Sequence, residues 1–315
     1  DVCSSDLHSF NPTETPTILG FIKSFVYCFH MPAFFFISGF LEGEKRRSIS
    51  EKKQAIVKKA KRLMVPYFFL TVVTAVLKLL FGAFARNPLN YSTLAVDVLI
   101  GRNNPNGGLW FLYALFVISI FGILFDNVSR TVLAGVMFVL YMLNTVVLKQ
   151  SGYIVGFFLS YAWIYFMGGA VRKHLFEIIK NSELLMSVKG IVLIAVVSVG
   201  YMMLAFVSIY KSQSWSLATA VTVIGVFLLF VIAVQIEHYH CGEKLWMVLG
   251  DYGMDIYMIG YYVQQAIFVV CGKILGFDYL VYAWMMLFLG LIAPIFLSKY
   301  VVRKNHMLST LILGR

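Results

Sequence analysis

EGEKRRSISEKKQAIVKKAKR, residues 42–62, sets nine Lys or Arg against three Glu. Before it stands TILGFIKSFVYCFHMPAFFFISGFL (17–41), and after it an apolar block that runs to about residue 85. Blocks of about twenty apolar residues have the length that crosses a hydrocarbon core ~30 Å thick at ~1.5 Å per residue. Lys and Arg collect on the cytoplasmic loops between such blocks, so 42–62 reads as a cytoplasmic loop between two membrane spans.

Working outward from this loop, the chain divides into nine complete spans, near 17–41, 62–85, 108–125, 131–148, 153–171, 187–209, 215–236, 246–271 and 279–301. The loops then alternate in charge. Predicted inside segments hold nineteen Lys or Arg, from Lys45 to Arg315, and outside segments hold Arg86, Arg102, Lys149, Lys211 and Lys273. The predicted fold is an all-α polytopic transmembrane bundle, one integral membrane domain over 1–315, with its C-terminus cytoplasmic. Residues 1–16 fall outside, so a further span is expected ahead of them, ten in the full-length protein, with DVCSSDL (1–7) foreign to it.

Composition agrees with a membrane class. Apolar residues make up 60% and charged residues 13% of the 315, against roughly 45–50% and about 25% in soluble domains. A β-barrel is excluded, because its strands are ~10 residues of alternating pattern, whereas these apolar runs are continuous. The net charge of +11 is accounted for by the inside loops, so no nucleic-acid partner is expected. The four cysteines have no metal-ligand spacing. EHYH (237–240) lacks the i, i+4 His spacing that a helical metal site needs, and no metal is expected.

Ionisable groups at span depth usually face a bundle interior or a cavity. Lys23, Tyr27, His30, Phe34 and Ser38 share one face of the first span. His30, near its middle, fits either a hydrogen-bonded structural residue or a functional one. Asp251 and Asp255 stand four apart, with Tyr262 seven further on; they fit a proton or cation site, pairing with a neighbour such as Lys78, or carboxylates held by backbone donors. NNPNGGLWFLYAL (103–115) is a turn-rich entry into a span, with Trp110 and Tyr113 where interfacial aromatics are common.

Four segments, taken in order, resemble the acyltransferase-3 superfamily, the membrane O-acetyltransferases that decorate bacterial polysaccharides. They are CFHMPAFFFISGFL (28–41), KKAKRLMVPYF (58–68), GGLWFLYALF (107–116) and LGDYGMDIYMI (249–259). The first is similar to the subset that includes fucose O-acetylases. The resemblance implies a ten-span enzyme of the bacterial cytoplasmic membrane. Such an enzyme takes an acetyl group from acetyl-CoA and transfers it to a hydroxyl of a cell-surface or lipid-linked carbohydrate. It implies a catalytic His near the end of the first span, for which His8 stands at the matching distance, with His30 as second candidate or orienting partner. Lys59-x-x-Arg62 stands where the family has Arg-x-x-Arg, and these two are assigned to the phosphates of the donor. Trp110, Tyr113 and Asp255 are assigned to the acceptor. The chain departs from the family where Tyr261 and Tyr262 stand in place of a late His. A proton-coupled transporter or flippase is the alternative that Asp251, Asp255 and His30 also fit, although no inverted repeat accompanies them.

Overall fold

The computed structural model describes residues 18–82, 92–101, 104–148, 154–211 and 214–315. Among these residues there is no strand, and nine helices are long and apolar enough to cross a membrane, each overlapping an expected span. The protein is a polytopic transmembrane helical bundle. Its helices are α1 (Ile18–Tyr27), α2 (His30–Glu42), α3 (Ile49–Leu80), α4 (Leu94–Leu99), α5 (Trp110–Leu124), α6 (Arg130–Leu143), α7 (Ile154–His174), α8 (Phe176–Lys180), α9 (Val188–Tyr210), α10 (Trp215–His238), α11 (Glu243–Ile267), α12 (Tyr279–Leu297) and α13 (His306–Leu313).

Two expectations need correction. Residues 49–62 are not loop but the first turns of α3, whose 32 residues span about 48 Å, well beyond a ~30 Å core. Charge identifies a segment that stays out of lipid, but Lys, Glu, Gln and Ala are strong helix formers, so the helix continues through it. The first expected span is also two helices, α1 and α2, separated at Cys28 and Phe29.

The described residues form two compact units, those of 1–52 with those of 121–243, and those of 53–120 with those of 244–315. In the first unit α2 lies directly on α7. A Cβ on Gly39 would collide with the carbonyl of Tyr165, and one on Gly168 with the carbonyl of Phe36. Small residues permit this approach, which drives helix association in lipid through van der Waals contact. Phe35 stacks on Tyr161 at 4.7 Å between ring centroids.

One end of α2 is closed by charge. Arg172 donates to the carbonyls of Phe40 and Leu41, at 3.0 and 2.8 Å. Buried Arg130 donates from Nε to Gly43 O and from Nη1 to Gly122 O, both at 3.1 Å. Glu44 accepts from Lys173 at 2.6 Å and from the Arg130 backbone N–H at 2.9 Å. Asp126 accepts from the Arg47 backbone at 3.0 Å and pairs with Lys52 at 2.8 Å.

The second unit is held differently. Tyr67 on α3 donates to Val98 O and Tyr113 on α5 donates to Leu99 O, each at 2.8 Å, fixing the end of α4 between them. Gly101, at φ +68, turns the chain against the Tyr113 ring, where a Cβ would stand 2.9 Å from Cδ1; the left-handed conformation and the lack of space both require glycine there.

Candidate functional site

Pro32 explains the break between α1 and α2. It has no N–H for the carbonyl of Cys28, four residues earlier. Phe29 leaves the helical region at φ −133, ψ −18, and its N–H turns back to Val26 O at 3.2 Å. The freed Cys28 carbonyl accepts from Thr222 Oγ1 of α10 at 3.0 Å. His30, half-buried, places Nδ1 3.2 Å from Val26 O. A carbonyl only accepts, so Nδ1 carries a proton in this contact. The ring lies edge-on to Tyr27 at 4.5 Å. Tyr201 packs against Gly225 on α10, and its buried hydroxyl has no hydrogen-bond partner among the described residues. The node thus presents an imidazole anchored through Nδ1 at a break in a membrane helix. In its neutral form such a ring is able to take a proton from a hydroxyl. His8 lies outside the described residues.

In the second unit, Lys59 and Arg62 share one turn of α3, Lys59 half-buried and Arg62 exposed. Further along the same helix stand neutral polar groups. Thr71 and Thr74 are buried, and each bonds back to the carbonyl four residues earlier. Asn104 Nδ2 donates to Thr71 Oγ1 at 2.7 Å, and Tyr262 on α11 meets Thr74 Oγ1 at 2.8 Å. Asn106, buried, caps the turn Gly107–Leu109 by accepting from Gly108 N at 3.0 Å. Gly108 O in turn accepts from Tyr257.

Trp110 and Tyr113 follow on α5, one turn apart. Trp110 is half-buried, and the Tyr113 hydroxyl is the one that holds Leu99. The amides and hydroxyls of this cluster are neutral hydrogen-bond donors and acceptors. Of its members, Thr71, Thr74, Asn104 and Asn106 were not singled out by sequence reasoning. The signal available was their polarity inside or beside an apolar run.

Asp255 is wholly buried. Its Oδ2 accepts from Ser298 and from Arg303 Nε, the latter at 2.7 Å. Arg303 also donates to Asp251 O at 2.6 Å and lies 3.8 Å over the Tyr252 ring. Of the two expected acids, only Asp255 turns its carboxylate toward Ser298 and Arg303, which follow the end of α12; Asp251 is exposed and contributes its backbone carbonyl. Among the described residues, no group of three or more His, Cys, Asp or Glu gathers to hold a metal ion.

A family model described as an acyltransferase domain matches residues 4–303. No curated protein and no solved structure matches the chain.

Proposed function

The chain belongs to this acyltransferase family, and on that premise we propose that it moves an acetyl group from acetyl-CoA to a hydroxyl of a cell-surface or lipid-linked carbohydrate. The observation that carries the reading is the near end-to-end family match, and the imidazole at the α1–α2 break supports it. Acyl transfer to an alcohol needs a base, because the hydroxyl becomes an effective nucleophile only as its proton leaves. In this reading a neutral imidazole accepts that proton while the hydroxyl oxygen attacks the thioester carbonyl. The tetrahedral intermediate then collapses, the C–S bond breaks, and the imidazolium returns the proton to the leaving thiolate. His8 takes this role by resemblance. His30 is the second candidate, or the residue that orients His8. Lys59 and Arg62, in the basic turns of α3, receive the donor's phosphates, as cationic side chains do. Trp110, Tyr113 and the amides beside them face the acceptor in this reading, and Asp255 acts from behind by holding α11 to Arg303. The orientation proposed puts the basic run and C-terminus in the cytoplasm of a bacterial cell, where acetyl-CoA is made.

The test is purified full-length protein given labelled acetyl-CoA and a surface glycan. An O-acetylated glycan is the expected product, and His8→Ala or His30→Ala, whichever residue is the base, lowers the rate by ~10²–10⁴-fold. A glycan that crosses vesicles unchanged with no acetyl label would overturn the reading in favour of a carrier.

A further inference from the structure

Pro66 lies inside α3 and is buried. It offers no N–H to the carbonyl of Arg62, and its ring crowds that carbonyl, so the turn holding Lys59 and Arg62 loses a backbone restraint at its membrane end. A residue from another part of the same unit occupies that place. Gly314 follows α13 in the left-handed conformation, at φ +64. A Cβ there would stand 2.5 Å from Arg62 O, 2.6 Å from its Cα and 2.8 Å from its carbonyl carbon. Glycine is required twice over, for the backbone angle and for the flush approach.

The segment that delivers Gly314 is fixed along its length. Arg303 is held by Asp255 at 2.7 Å. Asn305 caps α13 by accepting from Leu308 N at 3.2 Å. Leu313 is 2% exposed. Gly314 N closes the helix on Thr310 O at 3.0 Å. The family match ends at residue 303, so α13 and Gly314 lie beyond the matched domain while resting on one of its basic turns.

We propose that residues 304–315 are a positioning element for the donor site. By seating Gly314 on the carbonyl that Pro66 leaves free, they hold the Lys59–Arg62 turn in the geometry that receives the phosphates of acyl-CoA. The inference rests on the donor role given above to Lys59 and Arg62. Gly314 touches no reacting group and acts through the backbone of Arg62.

The experiment compares wild type, Gly314→Val, Gly314→Asn and Leu313→Ala with two donors. These are acetyl-CoA and S-acetylpantetheine, which has the same thioester but no phosphates. Asn tolerates the left-handed conformation, so Gly314→Asn isolates the close approach from the backbone angle. Leu313→Ala loosens the seat without placing a Cβ on Arg62, and so reports if the Gly314 variants do not fold. The expected result is a KM for acetyl-CoA raised about tenfold, the loss of about one charge-assisted contact, with kcat unchanged and the KM for S-acetylpantetheine unmoved. KM or kcat shifting equally for both donors would mean that the segment only stabilises the fold, and unchanged kinetics in folded variants would remove the role altogether. A wild-type protein that transfers no acetyl from either donor refutes the acyltransferase reading itself, and this proposal falls with it.

Discussion

Both units contain a proline that leaves a helix carbonyl without its donor, and the two units meet it differently. At Pro32 the helix parts into α1 and α2, and Thr222 donates a hydroxyl to the freed Cys28 carbonyl. At Pro66 the helix continues, and the backbone of Gly314 lies against Arg62 O. Pro294 in α12 repeats the second pattern. The carbonyl of Gly290, four residues earlier, faces Gly260 of α11, where a Cβ would stand 3.2 Å from that oxygen. In lipid there is no water to satisfy such a group, so the carbonyls of Cys28 and Gly290, at span depth, must be met from within the protein. A hydroxyl supplies a full hydrogen bond and lets the helix break. A glycine supplies close packing and at most a weak Cα–H contact, so other bonds must hold its helices in place.

The largest expected effect tests that last step. If glycine contact alone does not secure α11 to α12, the Asp255–Ser298–Arg303 group must do so. Arg303→Leu leaves a wholly buried carboxylate with Ser298 as its remaining partner, and should destabilise the protein by about 3 kcal/mol, as breaking one side of a buried ion pair does. Asp255→Leu combined with Arg303→Leu should recover much of the loss, because no charge is then stranded. Denaturant titration of the purified protein in detergent measures both. A single variant as stable as wild type would show that the seat between Gly260 and Gly290 is sufficient.

A smaller effect is expected at the break. Thr222→Val removes the hydroxyl that meets Cys28 O and should cost about 1 kcal/mol, within the range for hydrogen bonds in membrane proteins. The same substitution made together with Pro32→Ala should cost less, because an alanine in place of the proline restores an N–H four residues after Cys28. Equal costs in both backgrounds would show that the proline is not what frees the carbonyl.

The sequence makes the spans legible because lipid imposes a length and a polarity on each, and α5, α6, α7, α9, α10 and α12 lie close to their expected bounds. The break at Cys28 was not legible from hydropathy, since FVYCFHMPAFFF is apolar apart from His30. Its signal was Pro32, set one helical turn after Cys28, and the carbonyl left free there has to be counted to see it. The extension of α3 into the basic run was hidden for the opposite reason, since charge was read as loop where propensity favoured helix. At the candidate site, His30 and Asp255 announced themselves as ionisable groups in apolar surroundings. Thr222, Thr71 and Arg303 did not, because their importance comes from the neighbour each one meets, and pairing between distant segments is not written in either segment alone.

The smallest effect concerns the charged end of α2, where the first unit adds ion pairs to its hydrogen-bonded break. Glu44 lies outside the spans. Burial raises its pKa, but the hydrogen bonds from Lys173, the Arg130 backbone and Ser129 outweigh burial and hold it below the ordinary glutamate value. A carboxylate whose folded pKa is depressed stabilises the fold fully above its unfolded value, about 4.3, and loses that contribution as pH falls through the folded value. Stability should therefore be insensitive to Glu44 protonation at neutral pH and should decline in the acid range below about pH 4.3. The side chains of Glu44 and Lys173 are 29% and 48% exposed, so solvent screens the pair and the amplitude is about 0.5 kcal/mol or less. Comparing the acid limb of unfolding for wild type and Glu44→Gln measures it, at low salt and again at high salt. The difference between the two proteins should shrink as salt rises, because screening acts on exposed pairs. A difference that salt leaves unchanged would mean that Glu44 works through its bonds to the Arg130 backbone and Ser129 rather than through Lys173. The closure of α2 would then depend on hydrogen bonding, as its break at Pro32 does.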